Sequence, residues 1–171
     1  MSIIKNGKEY LQGDGTWGFE VMVDGDDLVM NNVTATCWGT DDPDDSGVAA
    51  SGINTQKFGP LYPMCALPMA IGKVCVGSPL PDIRPNRHWG NHVTNIAEFL
   101  EVQVESVSGN EGTTTFCVDI GPSKNTKDPR AIDLSVKAIR NLGYNGVAND
   151  FQAKVNVRII NGNKHRLEND R

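Results

Sequence analysis

Hydrophobic and polar residues alternate along most of this chain and seldom recur at helical spacing. In Phe99-Leu-Glu-Val-Gln-Val-Glu-Ser-Val107, Leu100, Val102 and Val104 alternate with Glu101, Gln103 and Glu105. That period of two belongs to a β-strand with one face in water. Ser108-Gly-Asn-Glu-Gly112 supplies a turn and Thr113-Thr-Thr-Phe-Cys-Val118 returns, so the pair predicts a hairpin. Strands are predicted over Leu28 to Met30, Val33 to Trp38, Glu98 to Val107, Thr113 to Asp119 and Phe151 to Ile160. The punctuation between them is rich in turn formers, with 18 Gly and 9 Pro, as in a mainly β protein.

One helix stands out in Ile132-Asp-Leu-Ser-Val-Lys-Ala-Ile-Arg-Asn-Leu-Gly143. Ser135 is a capping residue type, Leu134 and Ile139 have the spacing of a hydrophobic staple, and Gly143 stands where a helix ends in a left-handed conformation. Val136, Ile139 and Leu142 fall on one face, which should pack on the sheet. Ahead of the strands, Gly7, Gly13, Gly15, Gly18 and the turn Asp24-Gly-Asp-Asp27 suggest an arm or hairpin, anchored by Tyr10, Trp17 and Phe19.

At 171 residues the chain fits one domain, with or without an appendage. It holds 16 basic and 21 acidic residues, a formal charge of −5, which lacks the clustered cations of a nucleic-acid binder. No apolar run approaches the roughly 18 residues of a membrane-spanning helix. The start, with only Ile3-Ile4 as an apolar patch, does not read as a classical secretory leader, which needs about 7 to 15 apolar residues. The four cysteines, Cys37, Cys65, Cys75 and Cys117, show no zinc or thioredoxin spacing. Two disulfides and four buried thiols both remain open.

The chemistry-bearing segment is Thr115-Phe-Cys-Val-Asp-Ile-Gly-Pro122 followed by Arg130-Ala-Ile-Asp-Leu-Ser135. A strand running into Asp119 and a Gly-Pro turn puts that carboxylate at a sheet rim, and Asp133 precedes a helix. Two rim carboxylates are the equipment of glycoside chemistry, one protonating a leaving oxygen while the other stays ionised. An Asp ahead of a helix is also a common cap.

The run Thr113 to Gly143 resembles the final third of a double-psi β-barrel of the expansin, barwin-like endoglucanase and rare lipoprotein A superfamily. Thr34-Ala-Thr-Cys-Trp-Gly39 resembles that family's first strand, Ser46-Gly-Val-Ala-Ala-Ser-Gly52 the loop after it, and Phe151 to Ile160 its closing strand. The resemblance spans roughly residues 30 to 160 and implies a mainly β fold, a six-stranded double-psi β-barrel with one short helix and an N-terminal extension. With the arm or hairpin read from the glycine-rich start over 1–29 and the uniformly polar tail over 162–171 read as frayed, the barrel is expected over 30–161.

Carried over residue by residue, the resemblance makes Asp133 the key acid and Asp119 the second polar member of the groove. Thr36 and Trp38 match a groove threonine and a sugar-platform aromatic, and Ser51 falls in the substrate loop. In the acidic loop Asp41-Asp-Pro-Asp-Asp-Ser-Gly47, Asp45 is the candidate third carboxylate. A solvated turn is the plain alternative for that loop. The same loop opens like an EF-hand, but Ile53 stands where the bidentate Glu belongs. The lytic transglycosylases of this superfamily place a His in the stretch matching Pro63 to Met69, where this chain has none.

His88 and His92 have helical metal-pair spacing, yet Pro85 and Gly90 oppose a helix, and on a strand they would lie about 13 Å apart. No metal site or cofactor is expected. Trp89, between them, is either a sugar-stacking surface or a core residue. The cysteines lack a partnered His for nucleophilic work. The expected partner is a wall polysaccharide, peptidoglycan or a β-1,4-glucan, met outside the cytoplasm, with no nucleic acid and no membrane span. Cleavage by groove carboxylates, expansin-like gripping without cleavage, and a structural role in a phage or secretion machine are the three functions in contention.

Overall fold

A computed structural model describes residues 2–5, 8–13, 15–39, 47, 49, 51, 53–68, 99–121 and 130–169. Among these residues nine strands form: β1 (Ser2–Lys5), β2 (Lys8–Gly13), β3 (Gly15–Asp24), β4 (Asp27–Cys37), β5 (Met64–Leu67), β6 (Glu101–Ser106), β7 (Gly112–Ile120), β8 (Arg130–Leu134) and β9 (Gln152–Ile159). Six of them close a ring in the order β4-β8-β5-β7-β6-β9, because β9 pairs back onto β4. The protein is therefore mainly β, built on a closed six-stranded barrel. Pairing is parallel for β4 with β8 and β5 with β7 and antiparallel elsewhere in the ring, a mixture compatible with the double-psi form. The meander β1-β2-β3 joins the ring through Met22–Asp24 of β3 against Asp27–Val29 of β4.

The predicted strands Leu28 to Met30 and Val33 to Trp38 are one strand, β4, interrupted by a bulge. Across from β9, Met30 pairs with Val157 and Val33 with Val155, so Asn31 and Asn32 both stand opposite Asn156. The extra residue shifts the phase of alternation. Leu28 and Met30 face the core before it, and Val33 and Ala35 after it. Without the bulge one half of β4 would turn its apolar side to water. Asn32 adopts φ 53°, a left-handed conformation that Asn tolerates better than most residues. Its N–H donates to Asn156 Oδ1 at 2.9 Å.

The hairpin of β6 and β7 has the expected faces, with Val102 and Val104 buried and Gln103 and Glu105 exposed. The barrel interior is filled by Leu28, Met30, Leu67, Ile132, Leu134 and Ile159, each of which contributes about 1.5–3 kcal/mol by burial. A second apolar cluster, with Trp38, Ile53, Phe58, Met64, Ala66 and Val118, lies on the other side of β5. Met64 and Ala66 belong to it, whereas Cys65 and Leu67 belong to the interior, so β5 is covered on both faces.

Among the described residues the helices are short: α1 (Thr55–Phe58), α2 (Val136–Asn141), a 3-10 turn (Ala148–Asp150) and α3 (Gly162–Asn169). The anticipated cap is present, since Ser135 Oγ accepts the Ala138 N–H at 3.3 Å, and Gly143 closes the helix at φ 86°. Residues Ile132–Leu134 are strand, and the buried face of α2 centres on Ala138 and Ile139. The polar tail is helical over α3 and docks on the β3–β4 turn, where the Asn163 and Lys164 N–H groups donate to the Asp26 carbonyl at 2.9 and 3.1 Å. Asn163 Nδ2 adds a bond to the Gly25 carbonyl at 2.9 Å.

Candidate functional site

Strand register brings two of the three predicted carboxylates, Asp133 and Asp119, into one row. Thr36 stands beside Asp133, Asp133 beside Ala66, and Ala66 beside Asp119. The row crosses β4, β8, β5 and β7. The neighbouring row, Cys37, Leu134, Cys65 and Cys117, faces the interior. Alternation then directs Thr36, Asp133 and Ala66 outward, on the side of the second apolar cluster. On β7 the register slips by one residue at Val118, which brings Asp119 level with Ala66. Thr36, Asp133 and Asp119 are half-buried, and Ala66 between the two carboxylates is buried.

The Thr36 hydroxyl donates to Asp133 Oδ1 at 3.1 Å, fixing the carboxylate against its own strand partner. Ser135 fixes the end of β8. Its hydroxyl donates to the Tyr62 carbonyl at 2.8 Å and accepts the Met64 N–H at 2.9 Å as well as that of Ala138. Its own N–H donates to the Met64 carbonyl at 2.9 Å, so one buried serine ties β8, β5 and α2 together two residues after Asp133.

Cys37, just past Thr36, has its thiol pushed up to about 12, by burial first and then by the Asp133 carboxylate, with Arg140 opposing. Cys65 is raised well above the ordinary thiol range, chiefly by burial and then by the adjacent Cys117. Cys37 and Cys65 are free thiols. A raised thiol pKa withholds the thiolate that nucleophilic work requires, in keeping with a packing role.

Trp38 is 8 % exposed and packs in the second cluster, so the matched aromatic lies beneath the surface rather than open on it. Its Nε1 has no hydrogen-bond partner among the described residues. Ser51 is also buried, with its N–H donating to the Val118 carbonyl at 3.2 Å and its hydroxyl receiving the Ile53 N–H at 3.5 Å. Asp45 and Trp89 lie outside the described residues, as do Cys75, His88 and His92. Among the described residues no group of His, Cys, Asp or Glu is arranged to hold a metal ion, and no helix is long and apolar enough to cross a membrane.

Two members of the site escape the sequence reading. Ala66, the spacer between the carboxylates, belongs to a four-residue strand buried on both sides, and a short apolar run between Pro63 and Pro68 was the signal for it. Ser135 reads as a cap, but its reach to Tyr62 and Met64 depends on a strand far away in sequence. No family model matches this chain, and no curated protein matches it.

Proposed function

We propose that this protein acts on a cell-wall polysaccharide, peptidoglycan or a β-1,4-glucan, at the row formed by Thr36, Asp133, Ala66 and Asp119. The observation that carries the reading is the register match of Asp133 and Asp119 on either side of one alanine. Two strand spacings separate their α-carbons by about 10 Å. Carboxyl groups roughly 6.5–9.5 Å apart leave room for an attacking water, the arrangement of inverting glycoside hydrolysis. In this reading Asp133, oriented by Thr36, protonates the leaving oxygen, and Asp119 positions water. The sequence resemblance to the expansin, barwin-like endoglucanase and rare lipoprotein A superfamily supports the same site.

A second reading is an expansin-like grip on the polymer without cleavage. It is favoured by one observation: the stretch where the transglycosylases of that superfamily carry their His is here the fully buried strand β5, with no titratable side chain other than the Cys65 thiol. Mass spectrometry of material released from purified peptidoglycan and amorphous cellulose separates the two. Soluble products from the parent and none from Asp133→Asn establish cleavage. Pull-down by the polymers with no product from either protein establishes the grip. Products released equally by both proteins would overturn the role of Asp133.

A further inference from the structure

The carboxylate row uses one arc of the barrel, β4-β8-β5-β7. The other arc, β7-β6-β9-β4, carries a groove of about 440 Å³ on its outer face. Its floor is two rows of residues in register. Thr114, Gln103, Arg158 and Val29 make the first, and Gly112, Glu105 and Asn156 make the second. The second row ends at the β4 bulge, where Asn31 lines the groove and the Asn32 N–H is held by Asn156. A non-glycine residue in a left-handed conformation is strained and persists only where its surroundings enforce it, and bulges often re-aim a side chain beside a binding site. This one leaves Asn31 exposed at the groove wall.

The lining selects a ligand class. Arg158 is the groove's cation among the described residues, and Asp24 and Asp27 already hold its guanidinium at 2.9 and 3.0 Å. A phosphate or other polyanion would therefore meet no unpaired positive charge, in a chain whose formal charge is −5. An apolar ligand would gain little either, since Val104 and Val157 are turned to the interior and only Val29 offers partly exposed apolar area. What remains is the amides of Asn31 and Gln103, the Glu105 carboxylate and the Thr114 hydroxyl, all exposed. Amides and hydroxyls offer donors and acceptors side by side, and the carboxylate adds strong acceptors. Hydroxyl groups, which both donate and accept, suit that set.

We infer that this groove is a second site, which binds a neutral oligosaccharide through Asn31, Gln103, Glu105 and Thr114. It does not rest on the catalytic reading, because it uses the opposite arc of the ring. It holds polymer without acting on it.

The test is a heteronuclear NMR titration of the whole protein with chitohexaose, cellohexaose and inorganic phosphate at millimolar concentration. The expected result is saccharide-dependent shifts at Gln103, Glu105 and Thr114. Binding should weaken by about tenfold in Gln103→Ala/Glu105→Ala, which removes two hydrogen-bonding groups from exposed positions, and persist in Asp133→Asn. Shifts confined to Thr36 and Asp133, shifts with phosphate alone, or no shift with either saccharide would overturn the proposal. Product release in the mass-spectrometric assay with a silent groove would remove the second site and leave the proposed function standing.

Discussion

The Thr36 hydroxyl reaches Asp133 Oδ1 at 3.1 Å across a parallel strand pair whose members lie 97 residues apart in the chain. Because the two residues are also direct register partners, the contact is set by the barrel and not by a loop. Thr36→Val keeps the shape and removes the donor. Loss of a neutral hydrogen bond amounts to about 0.5–1.5 kcal/mol, so product release should fall severalfold, with unchanged circular dichroism. Asp133→Asn, which can still accept from Thr36, should retain the melting temperature and lose activity entirely. Full activity in Asp133→Asn would remove this carboxylate from the chemistry.

Ser135 offers a test of stability apart from chemistry. Ser135→Ala strips a partner from the Tyr62 carbonyl and from the Met64 and Ala138 N–H groups in a site closed to water. A lost cap and stranded buried polar groups together should lower unfolding free energy by about 2–4 kcal/mol in urea titrations. A change below about 0.5 kcal/mol, the scatter of neutral surface substitutions, would mean the hydroxyl is replaceable there.

Alkaline pH should weaken the fold through its thiols. In the unfolded chain Cys37 ionises near 9.0, whereas in the folded protein it stays protonated until about 12. The folded state thus binds more protons in that interval. The contribution is complete below pH 9.0 and is lost progressively as pH rises towards 12. Cys65 acts in the same direction. Denaturant midpoints measured from pH 8 to 11 should fall, and less steeply in Cys37→Ala. Parallel slopes for parent and variant would contradict the link.

The bulge makes its own prediction. At φ 53°, Asn32 should accept Gly with a change within about 1 kcal/mol, since its backbone N–H, not its side chain, makes the bond to Asn156. A β-branched Asn32→Val should cost about 1–2 kcal/mol or more. Equal thermal stability for the two variants would show that β4 relaxes out of the bulge.

Local pattern reveals some of these elements and hides others for physical reasons. The β6–β7 hairpin was legible because its partners are adjacent in sequence and alternate on a single wet face. β4 read as two strands because the Asn31-Asn32 pair interrupts the alternation that its own bulge restores. β5 was invisible at four residues with both faces covered, which leaves no period of two to detect. Residues Ile132–Leu134 read as the approach to a helix, since the partners that make them a strand are Ala35–Cys37 and Cys65–Ala66, far off in sequence. The candidate acids were legible by type and context. Their shared row was not, because register between distant strands leaves no local trace.

The 97-residue separation of Thr36 from Asp133 also bears on how the chain is made. The ring partners of β4 are β8 and β9, both synthesised long after it. Until they emerge from the ribosome, one side of β4 has β3 and its remaining length has no neighbour from the ring. Non-local parallel pairing forms slowly, and exposed strand edges are what nascent chains misassociate through. The barrel thus cannot close until its last strand, β9, has been made.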